Sequence, residues 1–257
     1  MVPEIGLGTW KYKGGPEPLR KGIELGATLI DTAEMYKTEH AVGAAIKGRR
    51  DKVFLATKVL GSNLRRDAVL RAAEKSLHLL DDDVIDLYQI HWSNRSVPIA
   101  ETMSAMEELV DRGMVRYIGV SNFSVAEMKD AQQAMTNNPL VSNQVLYNLK
   151  QRQIERYLIP YCVDNNITVI AYTPLADGSL SGKSRFRSAR GESTLERVAK
   201  EVDKTPAQAA LNWCLSRPNV IVIPKSNSVD RTVENCQASG WSLSTNQVQS
   251  LDAAFPQ

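Results

Sequence analysis

Cysteine is scarce in this chain, and what there is forms no pattern: Cys162, Cys214 and Cys236 are odd in number, widely spaced and set in helical or apolar surroundings. No CxxC pair or His-rich neighbour accompanies them, which argues against a zinc array and a disulfide framework. The reading is three reduced, buried thiols in a cytosolic, cytoplasmic protein. Long apolar runs are missing too, with no eighteen apolar residues in succession, so no membrane span is predicted. The opening Met1-Val2-Pro3-Glu4 lacks the basic and then apolar stretches of a secretory signal, and secretion by that route is not expected. Neither sign of charge dominates: 31 Lys+Arg stand against 29 Asp+Glu, interleaved along the chain for a net +2. That leaves no electrostatic footprint for nucleic acid, and a small molecule becomes the expected partner.

What is there is ordinary globular composition, 43% hydrophobic and 23% charged over 257 residues, which excludes disorder and collagen-like structure. A chain of this size buries roughly three quarters of its unfolded surface and needs no staples. Short Val- and Ile-rich runs recur at residues 5–9, 28–32, 53–59, 84–91, 116–121, 141–147, 168–173 and 220–224. Runs such as VIDLYQI, ITVIAY and VIVIP are nearly continuous in apolar residues, as parallel strands buried on both faces require. Between them lie segments with helical apolar spacing, for example RRDAVLRAAEKSLHLL, IAETMSAMEELVDRG and TPAQAALNWCLSRP. Thr205-Pro206 reads as a helix start and Gly113 as a stop. Eight alternations without a linker or composition break predict one (β/α)8 TIM barrel over residues 1–257, with a doubly wound sheet as the competing architecture. The longest irregular stretch, residues 176–192, reads either as a solvated connector or as a basic flap carrying Lys183, Arg185, Arg187 and Arg190 over an anionic ligand.

In such a barrel the working face lies at the carboxyl ends of the strands, so polar residues that interrupt the apolar runs there are informative. In order they are Thr9 and Trp10, Asp31, Lys58, His91 and Trp92, Ser121 and Asn122, Gln144, Tyr172, and Lys225 with Ser226. Contributions from every strand favour a pocket on the barrel axis. Asp31 and Lys58 each end an apolar strand, where a lone charge is expensive, so they are expected to pair; a purely structural ion pair is the alternative. Tyr36, five residues after Asp31, reaches the same mouth, and an adjacent ammonium stabilises a phenolate and tunes it as a proton donor. His91 ends the strand IDLYQI at that mouth and suits an electrophilic role toward a substrate oxygen. His40 and His78 read as structural. No Ser or Cys nucleophile stands out, and GLGTW at residues 6–10 lacks the third glycine and strand-to-helix setting of a dinucleotide fingerprint.

Asp31, Tyr36, Lys58 and His91, in this order and at strand ends, resemble the aldo-keto reductase family. The likeness covers nearly the whole chain through GLGTW, LIDTAEMY, ATK, QIHW, IGVSNF, NQVLYN, AYTPL and IPKSNSVDR. It implies Tyr36 as general acid, Lys58 and Asp31 as its tuning pair, and His91 as the residue orienting the carbonyl. It also implies NADPH (NADP+) as cofactor. Ser121, Asn122 and Gln144 would meet the nicotinamide carboxamide, Tyr172 would stack on its ring, and Lys225, Ser226, Arg231, Glu234 and Asn235 would grip the adenosine end. Thr9, Trp10 and Leu175 are further cofactor positions, and Trp10, Tyr36, His91 and Trp92 would line the substrate pocket.

The chain departs from the family's usual pattern in three places: it begins almost at its first strand without the short hairpin that often plugs the barrel bottom, only SNRSVP follows Trp92, and the carboxyl-terminal tail is short. The expectation is an open substrate end and a broad range of aldehydes and ketones reduced to alcohols. A monomer or weak oligomer with no metal is expected. The competing reading, from another functional class, is a cofactor-binding regulatory subunit that keeps the barrel but turns over little.

Overall fold

A computed structural model describes residues 2–182 and 190–256. Eight strands run in chain order: β1 (Leu7–Gly8), β2 (Leu29–Asp31), β3 (Phe54–Val59), β4 (Ile85–Ile90), β5 (Val115–Ser121), β6 (Leu140–Leu146), β7 (Thr168–Tyr172) and β8 (Val220–Val222). All pairings are parallel and follow sequence order. Closure comes from a parallel bridge between Ile5 and Val222, with Gly6 N donating to Val222 O at 2.8 Å and Val222 N to Glu4 O at 2.9 Å. Gly8 is required there, because a Cβ would stand 2.6 Å from the Ile223 carbonyl oxygen. The (β/α)8 barrel read from the sequence is therefore the observed fold.

Helices α1 (Glu17–Glu24), α2 (Glu39–Ile46), α3 (Arg66–Leu80), α4 (Ile99–Asp111), α5 (Val125–Ala134), α6 (Leu158–Asp164), α7 (Arg190–Glu201), α8 (Pro206–Leu215), α9 (Val229–Cys236) and α10 (Thr245–Ala254) accompany the strands. Capping boxes at Ser124, Thr205 and Ser244 fix three of their starts. The strand side chains separate into two apolar layers, as a period of two dictates. Ile30, Leu55, Tyr88 and Ile90 point outward into the large core beneath the helices. Leu29, Ala56, Leu87, Ile170 and Ile223 fill the barrel itself. The same inward parity that places Leu29, Ala56 and Leu87 in the lower barrel carries Asp31, Lys58, Gln89 and His91 up its axis.

The irregular stretch expected over residues 176–192 is shorter than that. A 3-10 turn occupies Ala176–Gly178, and α7 already begins at Arg190, because ESTLERVAKE continues a helical apolar stripe. Lys183, Arg185 and Arg187 of the basic-flap reading, and the side chain of Arg190, lie outside the described residues. Cys162 and Cys214 are buried, Cys236 is half-buried, and all three are free thiols. Burial pushes Cys162 up to about 12 and Cys236 up to about 11. Among the described residues no helix is long and apolar enough to cross a membrane, and no cluster of three potential metal ligands occurs.

Candidate active site

Asp31 closes β2 and Lys58 lies one residue before the end of β3, and the two meet inside the barrel mouth. Lys58 Nζ donates to Asp31 Oδ1 at 2.9 Å and Oδ2 at 2.8 Å, to the Thr32 carbonyl at 2.7 Å and toward Tyr36 Oη at 3.5 Å. Gln144 Nε2 adds a 2.7 Å bond to Asp31 Oδ1. Lys58 is fully buried and Asp31 almost so. Burial pulls the Lys58 ammonium below its ordinary value, opposed by the charges of Asp31 and Glu39. Lys58 thus stands behind the cavity and touches it through Tyr36.

Tyr36 sits on the 3-10 turn Glu34–Tyr36, with its ring 4.9 Å from Trp10 and 5.4 Å edge-on from His91. Burial, the Asp31 carboxylate and Tyr172 push its pKa well above 10, and no lowering by Lys58 offsets this. The ammonium charge is already matched by both Asp31 oxygens, so the phenol holds its proton firmly. His91 is 5% exposed, and burial followed by the Lys58 charge holds it down to about 4, so the ring is neutral at pH 7.

Beyond the tetrad a cavity of about 440 Å³ runs across the barrel mouth. It brings together Thr9, Trp10, Asp31, Tyr36, His91, Trp92, Ser121, Asn122, Gln144, Tyr172, Leu175, Lys225, Arg231, Glu234 and Asn235. Trp10 and Trp92 are 44% and 50% exposed, so the end beside Tyr36 is open. Ser121 Oγ donates to the Gln144 carbonyl at 2.8 Å. Asn122 Nδ2 donates to the His91 carbonyl at 3.1 Å, and its Oδ1 accepts from Tyr172 Oη at 3.0 Å. Asn122 has φ +60°, a left-handed conformation that Asn tolerates, and Thr173 on the same wall has φ +52°, which a β-branched residue rarely adopts. Backbone strain of this kind concentrates at binding sites.

At two of the expected cofactor positions the hydroxyl is bonded within the protein. The Thr9 hydroxyl is fully buried, donates to the Asp31 carbonyl at 2.9 Å and shares a 3.0 Å bond with Thr38, so it braces the β1–β2 corner. Ser226 is not on the cavity wall; its Oγ donates to the Ser228 carbonyl and accepts the Ser228 N–H, shaping the turn into α9. Conversely, Lys11, Met35, Asp177, Ser181 and Ala207 line the cavity without having been singled out in sequence. Lys11 carries a left-handed φ of +55° after GLGTW, and its Nζ lies over the Trp10 ring. Only the positive φ, invisible in a Lys codon, turns it to the rim.

An open cleft at the carboxyl face of a parallel barrel, with a tyrosine hydroxyl against a buried Lys–Asp pair, lies where barrel enzymes carry their active sites. The Aldo/keto reductase family matches residues 4–255. Methylglyoxal reductase YeaE of Escherichia coli strain K12 is 38% identical over 265 residues, covering 99% of this chain and 92% of that protein. Glyoxal reductase of Bacillus subtilis strain 168 is 34% identical over 258 residues, covering 98% and 88%. Among solved structures, an aldo-keto reductase from Klebsiella pneumoniae in complex with NADPH superposes with a TM-score of 0.91 at 38% identity, covering 99% and 92%. The chain belongs to the aldo/keto reductase family and is an oxidoreductase of that class.

Proposed function

We propose that this protein reduces aldehydes and ketones, small aldehydes and dicarbonyls foremost, to alcohols with NADPH, Tyr36 serving as proton donor. The observation that carries the reading is the Tyr36 hydroxyl, backed by the buried Lys58–Asp31 pair and edge-on to His91, facing an open cavity. The reductases of methylglyoxal and glyoxal among its relatives, and the NADPH complex among its structural neighbours, support the substrate and cofactor classes.

The residues present fit a dinucleotide. The cavity extends from the tetrad past the Tyr172 ring to the amino-terminal half of α9, where Lys225 and Arg231 offer cationic groups without a side-chain ion-pair partner among the described residues. Free backbone N–H groups at the start of an eight-residue helix add to the attraction for phosphate. When bound, NADPH supplies the hydride to the carbonyl carbon. The half-buried Tyr172 gives a flat wall for a ring, with Asn122 fixing its hydroxyl. Ser121, Asn122 and Gln144 form the polar patch beside it. Lys225 and Arg231 hold phosphate oxygens, with Glu234 and Asn235 completing that end.

A carbonyl oxygen entering between Trp10 and Trp92 meets Tyr36 and His91. His91 Nε2–H donates to that oxygen, and Tyr36 releases its proton to the oxygen as charge develops. Lys58, held by Asp31, stabilises the phenolate left behind, so its charge matters after the proton has moved rather than before. Half-exposed aromatic walls leave the outer pocket with few groups to discriminate among carbonyls, so a broad substrate range is expected. The test is oxidation of NADPH, followed by the absorbance of its reduced nicotinamide, with a panel of aldehydes, ketones and dicarbonyls. Oxidation with several small carbonyls is the expected result. No oxidation with any of them, despite binding of NADPH, would transfer the assignment to a regulatory subunit.

A further inference from the structure

The barrel interior contains polar groups that the apolar layers do not account for. Gln89 is fully buried on β4, and neither its Oε1 nor its Nε2 has a hydrogen-bond partner. His91 Nδ1 and Ser142 Oγ are likewise buried and unpaired. Ser142 lies in the lower barrel beside Leu29, Leu87 and Ile170, His91 lies at the mouth, and Gln89 stands between them. Gln89 and His91 are two residues apart on the same inward face of β4, where successive same-face side chains stand about 7 Å apart. Gln89 is in register with Gly119 of β5, and Gly119 with Ser142 of β6. Gly119 has no side chain to separate them: a Cβ there would lie 2.3 Å from Ser142 Oγ and 3.0 Å from Gln89 Cγ. Buried amides, hydroxyls and ring nitrogens are almost always hydrogen-bonded, to protein or to internal water, and an internal water needs two to four polar partners.

The direction of the contact follows from the chemistry of the ring. His91 is neutral at pH 7 and has a single N–H. Its Nδ1 is enclosed, which leaves Nε2 as the nitrogen toward the cavity. A donor to a carbonyl oxygen must carry its proton on Nε2, so Nδ1 must accept. The Lys58 ammonium, paired in register with Gln89, is engaged with Asp31, Thr32 and Tyr36 and does not point a proton at the ring. The Gln89 amide, the donor group one layer below the ring, remains.

We propose that Gln89 is a positioning residue: through one buried water its side-chain NH2 directs a hydrogen toward His91 Nδ1 and keeps the ring proton on Nε2. The inference rests on the reading of His91 as the donor to the carbonyl oxygen, but it is measured separately. In the 15N spectrum of histidine-labelled enzyme with NADP+ bound, the His91 resonances, assigned by their loss in His91→Gln, report the Nε2–H tautomer in the wild type. Gln89→Met keeps the volume and removes the amide; it abolishes that preference and lowers kcat about tenfold with the Kd for NADPH unchanged, the scale at which orienting partners act. Gln89→Leu, which also removes the amide, has the same effects on the tautomer and on kcat. It serves as the second variant should Gln89→Met fold poorly. A His91 that is Nδ1–H in the wild type, or a tautomer unchanged by both variants, overturns the proposal. Full turnover in His91→Gln instead removes the donor role of His91 and leaves the tautomer measurement to decide the Gln89 contact.

Discussion

Lys58 has no solvent contact and all its hydrogen bonds lie within the protein, so its effect on chemistry passes through the partners that reach the cavity, of which Tyr36 is the one carrying a transferable proton. Tyr36→Phe is therefore expected to lower kcat by about 10²-fold or more while NADPH still binds, as loss of a general acid does. Lys58→Met acts on the same proton, and the double variant should lose far less than the product of the two single losses. Steady-state kinetics on the three variants checks both statements, and multiplicative losses would mean that the two residues act independently. The pKa directions give a pH profile. His91 is neutral above about 4, and the Tyr36 pKa is raised above its ordinary 10, so neither group titrates between these limits. kcat/KM for reduction should stay level from about pH 6 to about pH 9 and decline only as Tyr36 loses its proton at higher pH. A midpoint near neutrality would contradict this. The identities in the tetrad were legible in sequence because each ends an apolar strand or follows one closely. The direction of the Tyr36 shift was not, because it comes first from burial in the assembled mouth and then from Asp31 and Tyr172, which other strands bring beside it.

At the scale of elements, apolar runs located all eight strands, but several observed strands are shorter than their runs. The run at residues 5–9 yields only Leu7–Gly8 as strand, with Ile5 making a separate bridge to Val222 where the barrel closes. Helix starts were legible where a capping residue announces them, as at Thr205. Contacts between elements were not. Glu107 on α4 shows what pattern reading misses: it is 7% exposed and accepts the backbone N–H groups of Thr136, Asn137 and Asn138, tying the segment after α5 to its neighbour helix. Burial works to raise its pKa, but those N–H bonds outweigh it and leave the carboxylate below its ordinary value of 4.5. A depressed carboxylate stabilises the fold above its unfolded pKa, and that contribution fades as pH falls through the folded value. Glu107→Gln should thus lower unfolding stability by about 1.5 to 3 kcal/mol at pH 7, the usual cost of losing hydrogen bonds to a charged acceptor. The gap from wild type should narrow at pH 3. Urea denaturation at both pH values tests it, and a gap that widens in acid would show the carboxylate to be a liability instead.

For the whole molecule, the sequence order of the strands is also their spatial order, so the ends of seven strands meet around one cavity, with Lys58 of β3 behind it, only because the sheet closes. That closure makes dinucleotide binding a property of the entire barrel: the proposed contacts extend from β5 and β6 across β7 to α9, on opposite sides of the β1–β8 seam from Trp10 and Tyr36. A ligand that bridges so many elements binds the folded chain and not the unfolded one, and it stabilises by about 2.7 kcal/mol when present at 100 times its Kd. For a chain of this size that corresponds to a rise in Tm of about 5 to 10 °C. NADPH should produce such a rise. NADH should produce less at the same concentration, since a 2′-phosphate offers Lys225 and Arg231 a dianion at the start of α9. Both side chains are exposed, so screening weakens their contribution and the preference should shrink as salt increases. Arg231→Ala should then cut the NADPH shift markedly, weakening NADPH by about tenfold while leaving the NADH shift nearly unchanged, about 1.4 kcal/mol lost from one phosphate contact. Thermal unfolding with each nucleotide, at low and high salt, separates the outcomes without requiring a substrate. Equal loss of both shifts would make Arg231 a structural residue of α9 and leave the 2′-phosphate without its proposed partner.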